Sequence, residues 1–122
     1  MNRKKTLLIV DDSIVVVDRL IPMLESLDNV AFVIHAGSYV EAIEMLAEIR
    51  PDFILLDIQL PDKSGIELLR EIREKDQEVL VIMISNHATP EYGKICKKLG
   101  AQHFFDKSKD FESISEVIEE AY

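Results

Sequence analysis

The sequence predicts an α/β fold in which a mostly parallel, doubly wound sheet carries helices on both faces. Three observations lead there. Short apolar runs alternate five times with stretches of helical periodicity, an order that calls for right-handed crossovers between parallel strands. The runs are nearly continuous in apolar residues, as strands buried on both faces are. The chain has 122 residues, 48% of them hydrophobic, without low-complexity tract, linker or internal repeat, so one domain over residues 1–122 is expected.

The first strand is Leu7–Val10, followed by a helix over about Ser13 to Leu27 that turns Ile14, Val17, Ile21 and Leu24 to one face and meets Pro22 midway. The second strand, Val30–Ile34, leads to a helix opened by Ser38, whose Ser-Tyr-Val-Glu is a capping box with Glu41. That helix continues through Val40, Ile43, Leu46 and Ala47 to Arg50, where Pro51 stops it. The third strand is Phe53–Leu56. Its helix opens with the same device, Ser64 with Glu67, and buries Ile66, Leu69 and Ile72. After the fourth strand, Val79–Ile84, Thr89 is an N-cap with Pro90 at the first helical position, and Gly100 ends a helix whose face is Tyr92, Ile95, Cys96 and Leu99. The fifth strand, His103–Phe105, precedes a helix from Asp110 that turns Phe111, Ile114, Val117, Ile118 and Ala121 inward and Glu112, Glu116, Glu119 and Glu120 outward.

Charge narrows the function. Twenty-three acidic side chains against 14 basic ones give a formal charge of -9, which opposes binding to a phosphate backbone or an anionic membrane. Cys96 has no partner for a bridge, and the basic start Met1-Asn2-Arg3-Lys4-Lys5 precedes an apolar run too short for a signal peptide or membrane span. A cytoplasmic location is expected.

In doubly wound sheets ligands sit beyond the carboxyl ends of the strands. The first strand ends in Asp11-Asp12-Ser13, the third in Asp57, the fourth in Ser85-Asn86 and the fifth in Asp106-Lys107-Ser108. Taken singly, Asp12 or Ser13 reads as a helix cap, Ser85 as a loop hydroxyl and Lys107 as a surface charge. Asp57 does not yield to such a reading, because it follows an apolar run directly and the next helix opens only at Ser64. Three carboxylates about 4 Å apart repel by roughly 4 kcal/mol per pair at an effective dielectric of about 20. Positive charge must therefore stand among them. Lys107 supplies one charge and a divalent ion the rest; all-oxygen donors suit Mg²⁺, which keeps several waters. An aspartate beside a metal and a lysine is a competent phosphoryl acceptor, because this chemistry rests on positioning and charge stabilisation.

Other phosphate chemistries lack their residues. No Gly-x-x-x-x-Gly-Lys-Ser/Thr loop exists, and Gly37, Gly65, Gly93 and Gly100 form no dinucleotide-binding turn. Asp11 and Asp12 are adjacent rather than spaced as Asp-x-Asp, which moves the nucleophile's place to Asp57. His35, His87 and His103 are scattered, so no zinc spacing appears.

At this point the chain resembles the receiver domain of bacterial two-component response regulators, the fold shared with the chemotaxis motor regulator. The motifs are Leu8-Ile9-Val10-Asp11-Asp12-Ser13, Leu55-Leu56-Asp57 through Pro61-Asp62-Lys63-Ser64-Gly65, Ile84-Ser85 and Phe104-Phe105-Asp106-Lys107. Any one is weak; four in this order and spacing are specific, and they cover essentially the whole chain from Leu7.

The resemblance implies a flavodoxin-like (βα)5 sheet of strand order 2-1-3-4-5. It implies that Asp57 accepts a phosphoryl group from a sensor histidine kinase or phosphotransfer protein, and that Asp12, Asp57 and the Gln59 backbone carbonyl ligate Mg²⁺, with Asp11 acting mostly through a water. Lys107 would pair with one phosphoryl oxygen and Ser85 with another, while Phe104 rotates inward as the hydroxyl moves. The face of the fourth helix, fifth strand and fifth helix would then change its affinity for a downstream effector protein. The protein is expected to be a monomer or a weak phosphorylation-dependent dimer, not an enzyme acting on an external substrate, and a receiver that either stands alone or is an excised part of a longer protein. Departures are specific too. The family usually has proline after the lysine, with a cis bond; Ser108 stands there, where a cis peptide costs about 3 kcal/mol. Asn86 replaces a small residue, Phe104 lacks a tyrosine hydroxyl, and Gln59 and His87 occupy positions that tune phosphoryl lifetime. Two alternatives remain: a Mg²⁺-dependent phosphatase, marked by turnover of small phosphoesters, and a receiver-like scaffold that is never phosphorylated.

Overall fold

The computed structural model describes residues 5–121, so the basic opening Met1–Lys4 lies outside the described residues. Strand and helix alternate five times: β1 (Lys5–Val10), α1 (Ile14–Glu25), β2 (Val30–Ala36), α2 (Tyr39–Glu48), β3 (Phe53–Asp57), α3 (Gly65–Lys75), β4 (Leu80–Ser85), α4 (Pro90–Lys98), β5 (His103–Asp106) and α5 (Phe111–Glu120). The strands form one sheet in the order β2-β1-β3-β4-β5, every described pair parallel. The order reverses at β1, and the ends of β1, β3, β4 and β5 meet along one rim.

Strand alternation divides the core into two layers. Leu8, Val10, Ile54, Leu56, Val81 and Met83 face one way and pack under α2, α3 and α4, through Ala42, Leu68, Leu69, Ile72 and Cys96. Leu7, Ile9, Phe53, Leu55, Ile82 and Ile84 face the other way, against Val17, Leu20 and Leu24 of α1 and Phe111, Ile114 and Ile118 of α5. All five residues of β3 are buried, as befits the central strand.

Several expectations change in detail. β2 is an edge strand, half open to solvent, with Phe32 67% exposed, so its apolar run is not buried on both faces. The predicted faces hold at Val17, Leu24, Leu69, Ile72, Cys96, Phe111, Ile114 and Ile118, but some of their members change. Ile14, Val40, Ala47 and Ile95 point outward, while Leu20, Tyr39, Ala42 and Leu68 are buried. Each helix packs one side on the sheet and buries a narrow stripe, whereas its sequence offers more apolar positions than that stripe holds. Pro22 lies within α1 without ending it and frees only the carbonyl of the exposed Asp18. Ser13, Ser38, Ser64 and Thr89 cap their helices through side-chain oxygens. Asp110 makes no such cap, because its carboxylate turns back to accept the Asp106 amide at 2.8 Å. Gly100 ends α4 at φ 105°, a conformation that favours glycine. Among the described residues no helix is long and apolar enough to cross a membrane.

Candidate functional site

Among the described residues only four polar or charged side chains are buried: Asp11, Asp57, Ser85 and Lys107. They come from the ends of four different parts of the rim. Asp11 follows β1, Asp57 and Ser85 close β3 and β4, and Lys107 follows β5. Lys107 Nζ lies 3.0 Å and 3.2 Å from the two Asp11 oxygens and 2.9 Å from Asp57 Oδ2. The lysine therefore sits between two buried carboxylates, where repulsion demanded a cation.

Local turns aim each group. Asp11 Oδ1 also accepts the Ser13 amide at 2.8 Å, and the Asp11 carbonyl is held by His35 Nε2 at 2.7 Å. Asp57 Oδ1 accepts the Gln59 amide at 3.1 Å, and the Ile58 amide donates to the Ile84 carbonyl, tying the loop after β3 to β4. Ser85 Oγ accepts the His87 amide at 2.9 Å, a role that leaves its O–H hydrogen to donate elsewhere. Lys107 is directed by the turn around it. Its amide donates to the Ser85 carbonyl, and Asp106 Oδ1 accepts from the Ser108 amide, the Ser108 hydroxyl and the Lys109 amide. Those Ser108 bonds hold Asp106 below the usual carboxylate range. A proline at 108 has no amide to give; with serine, no cis peptide occurs among the described residues.

Burial pushes the Asp57 carboxyl above its ordinary value and the Asp11 charge adds to that, while the bonds from Lys107 and Gln59 pull it back. Burial likewise pulls the Lys107 ammonium down, but hydrogen bonds to Asp57 and Asp11 outweigh it and leave lysine above its ordinary value. Asp12 stands exposed at the mouth. Asp11, Asp12 and Asp57 each offer a carboxylate oxygen, all within 4.8 Å of one another. Three carboxylates against one ammonium leave negative charge in excess. An all-oxygen donor set with one solvent-facing member fits a hard cation such as Mg²⁺, not a soft metal.

Gln59 and Phe104 stand at the edge of this cluster, Gln59 through the amide it donates to Asp57 Oδ1. Gln59 is exposed and bridges to Ser64 across the loop. Phe104 is in register with Met83 on β4, as Asp106 is with Ser85. Because side chains alternate, Phe104 and Ser85 share a sheet face as diagonal neighbours, within an aromatic side chain's reach. Its ring rests on α4 at Gly93.

A model of the response regulator receiver domain matches residues 7–119. The chain belongs to that family. It is 35% identical over 118 residues to the chemotaxis protein CheY of Halobacterium salinarum, covering 93% of this chain and 97% of that one. It is 31% identical over 87 residues to the DNA-binding transcriptional activator EvgA of Escherichia coli, covering 71% of this chain but 41% of EvgA. The crystal structure of a CheY-like receiver domain protein from Methanospirillum hungatei superposes with a TM-score of 0.85 at 27% identity, covering 96% and 92% of the two chains. Receiver domains serve phosphorylation-based signalling and generally bind Mg²⁺ at an acidic pocket, the kind of pocket Asp11, Asp12 and Asp57 form.

Two residues of the motif after β3, Gly65 and Asp62, have structural roles that the motif itself does not spell out. A Cβ at Gly65 would fall 2.0 Å from the Asp57 carbonyl oxygen, so only glycine lets α3 approach the strand end. Asp62 reaches back to α2 and accepts the Tyr39 and Val40 amides at 2.9 Å and 3.1 Å. Ser38 already satisfied the expectation of a cap there, which hid the second one.

Proposed function

We propose that this chain is a phosphorylation-controlled switch that takes a phosphoryl group on Asp57 and regulates a partner protein through the α4-β5-α5 face. One observation carries the reading: the four polar side chains buried among the described residues are an aspartate nucleophile, a second carboxylate, a lysine and a hydroxyl, all at one rim of the sheet. Burying these groups together is costly unless their charges are used.

The donor is a phosphohistidine of a sensor kinase or phosphotransfer protein. An Asp57 carboxylate oxygen attacks phosphorus in line, the phosphorus–nitrogen bond breaks with its electron pair on the imidazole, and an acyl phosphate remains. Asp12, Asp57 and the Gln59 carbonyl would hold Mg²⁺, with Asp11 acting through a water, and the bound ion supplies charge neutralisation for the phosphoryl oxygens. Lys107, already 2.9 Å from Asp57, meets one phosphoryl oxygen, and the unused Ser85 hydrogen donates to another. Ser85 then moves toward the phosphoryl group, and the ring of Phe104, its diagonal neighbour on β5, follows. The protein turns over no external substrate, acts in the cytoplasm without touching nucleic acid, and works as a monomer or weak phosphorylation-dependent dimer.

Beryllofluoride, a stable mimic of the phosphoryl group, tests the reading. With Mg²⁺ present, the amides of Ser85, Phe104 and Lys107 are expected to shift in NMR spectra, and Asp57→Asn is expected to abolish the response. Unshifted amides in the wild-type protein overturn the reading.

A further inference from the structure

Gly93 occupies the fourth position of α4, inside a nine-residue helix, where glycine is among the poorest choices. No left-handed turn requires it, since Gly100 is the glycine with positive φ. What explains it is across the groove. A Cβ built on Gly93 would lie 3.2 Å from Phe104 Cδ2 and 3.7 Å from Cε2, with no other neighbour within contact distance. The first distance is tighter than side chains normally tolerate, so the bare Cα is the floor on which the ring lies. Phe104 is half-buried and packs on the α2-α3-α4 layer from that seat.

Phe104 lies on the same sheet face as Ser85, one diagonal step away, and Ser85 is the hydroxyl that the functional reading sets in motion. On the switch reading, a ring that leaves the Gly93 seat moves toward the space that Ser85 vacates.

We propose that Gly93 is a positioning residue that holds the unphosphorylated state by seating the Phe104 ring against α4, so that filling the seat biases the domain toward its phosphorylated form. The inference rests on the switch reading above and deepens it: α4 is coupled to the phosphorylation site through one van der Waals contact. A two-state equilibrium answers a steric bias on either state, and phosphorylation becomes easier when the resting state is raised.

The test is a double-mutant cycle on the intact chain, Gly93→Ala and Phe104→Ala alone and together. Two readouts are taken: Phe104 ring proton shifts by NMR, and the rate of phosphoryl uptake from acetyl phosphate with Mg²⁺ by intact mass. Gly93→Ala is expected to move the ring resonances and raise the uptake rate by about fivefold, a typical coupling between linked sites. In the Phe104→Ala background the same alanine is expected to leave the rate unchanged, which a general effect on helix stability would not do. Unmoved ring resonances, an unchanged or slower rate, or an equal effect in both backgrounds overturns the seat. Absence of uptake by the wild-type protein instead overturns the switch reading and the inference with it, so the two failures are distinct.

Discussion

Lys107 is the residue on which the site's electrostatics turn. Its ammonium touches both oxygens of Asp11 and one of Asp57, all three groups being buried. Lys107→Met leaves two buried carboxylates facing each other and is expected to cost about 3 kcal/mol of stability in Mg²⁺-free buffer. Saturating Mg²⁺ should restore part of that loss, and urea unfolding with and without the ion measures both. Equal stability of the two proteins without Mg²⁺ would show that the pair does not hold the rim together. Gly65→Ala is expected to cost a similar ~3 kcal/mol, because its methyl group meets the Asp57 carbonyl and not a side chain that can move aside. Asp57 was legible because an apolar run ends in a carboxylate that no helix needs. Gly65 was legible only as part of a motif, because the clash that fixes it is with the backbone at the end of β3, and sequence spacing does not encode such an approach.

Among the elements, α2 and the loop after β3 are clamped together. Asp62 accepts two amides at the start of α2, Lys63 Nζ lies 4.8 Å from the centre of the Tyr39 ring, and the Tyr39 hydroxyl donates to Glu71 of α3 at 2.7 Å. Asp62→Ala should cost about 1 kcal/mol, the usual worth of an N-terminal cap, with amide exchange accelerated first at Tyr39 and Val40. The bond to Glu71, helped by burial and the Glu71 charge, raises the Tyr39 phenol from 10.0 to about 12. A folded-state pKa above the unfolded one stabilises fully below pH 10.0 and loses that contribution as pH climbs to about 12. Glu71→Gln should return the phenol toward its ordinary value, visible as tyrosinate absorbance at lower pH when Tyr39→Phe serves as the blank. Element order and type were readable throughout, since the runs alternate cleanly and four helices begin at a Ser or Thr cap. The complete membership of the buried stripes was not. Ile14 and Leu20 are equally apolar, and only the lie of α1 on the sheet decides that Leu20 is inside.

At the scale of the whole molecule, the net charge of -9 acquires a local meaning. Three of those negative charges converge within 4.8 Å at a rim where one lysine answers them, and the remainder coat surfaces such as the outer side of α5. The topology makes that convergence unavoidable: order β2-β1-β3-β4-β5 places the ends of β1, β3, β4 and β5 side by side, so residues far apart in sequence meet without a dedicated loop. The same strand that presents Lys107 carries Phe104 to α4, so chemistry at the rim and the outer face of the fold share β5. The central claim is that Asp57 takes the phosphoryl group, and intact mass after incubation with acetyl phosphate and Mg²⁺ tests it most directly. One added phosphoryl group is expected on the wild-type chain, none when EDTA is present from the start, and none on Asp57→Asn. No adduct on the wild-type chain, or an adduct that persists in Asp57→Asn, contradicts it.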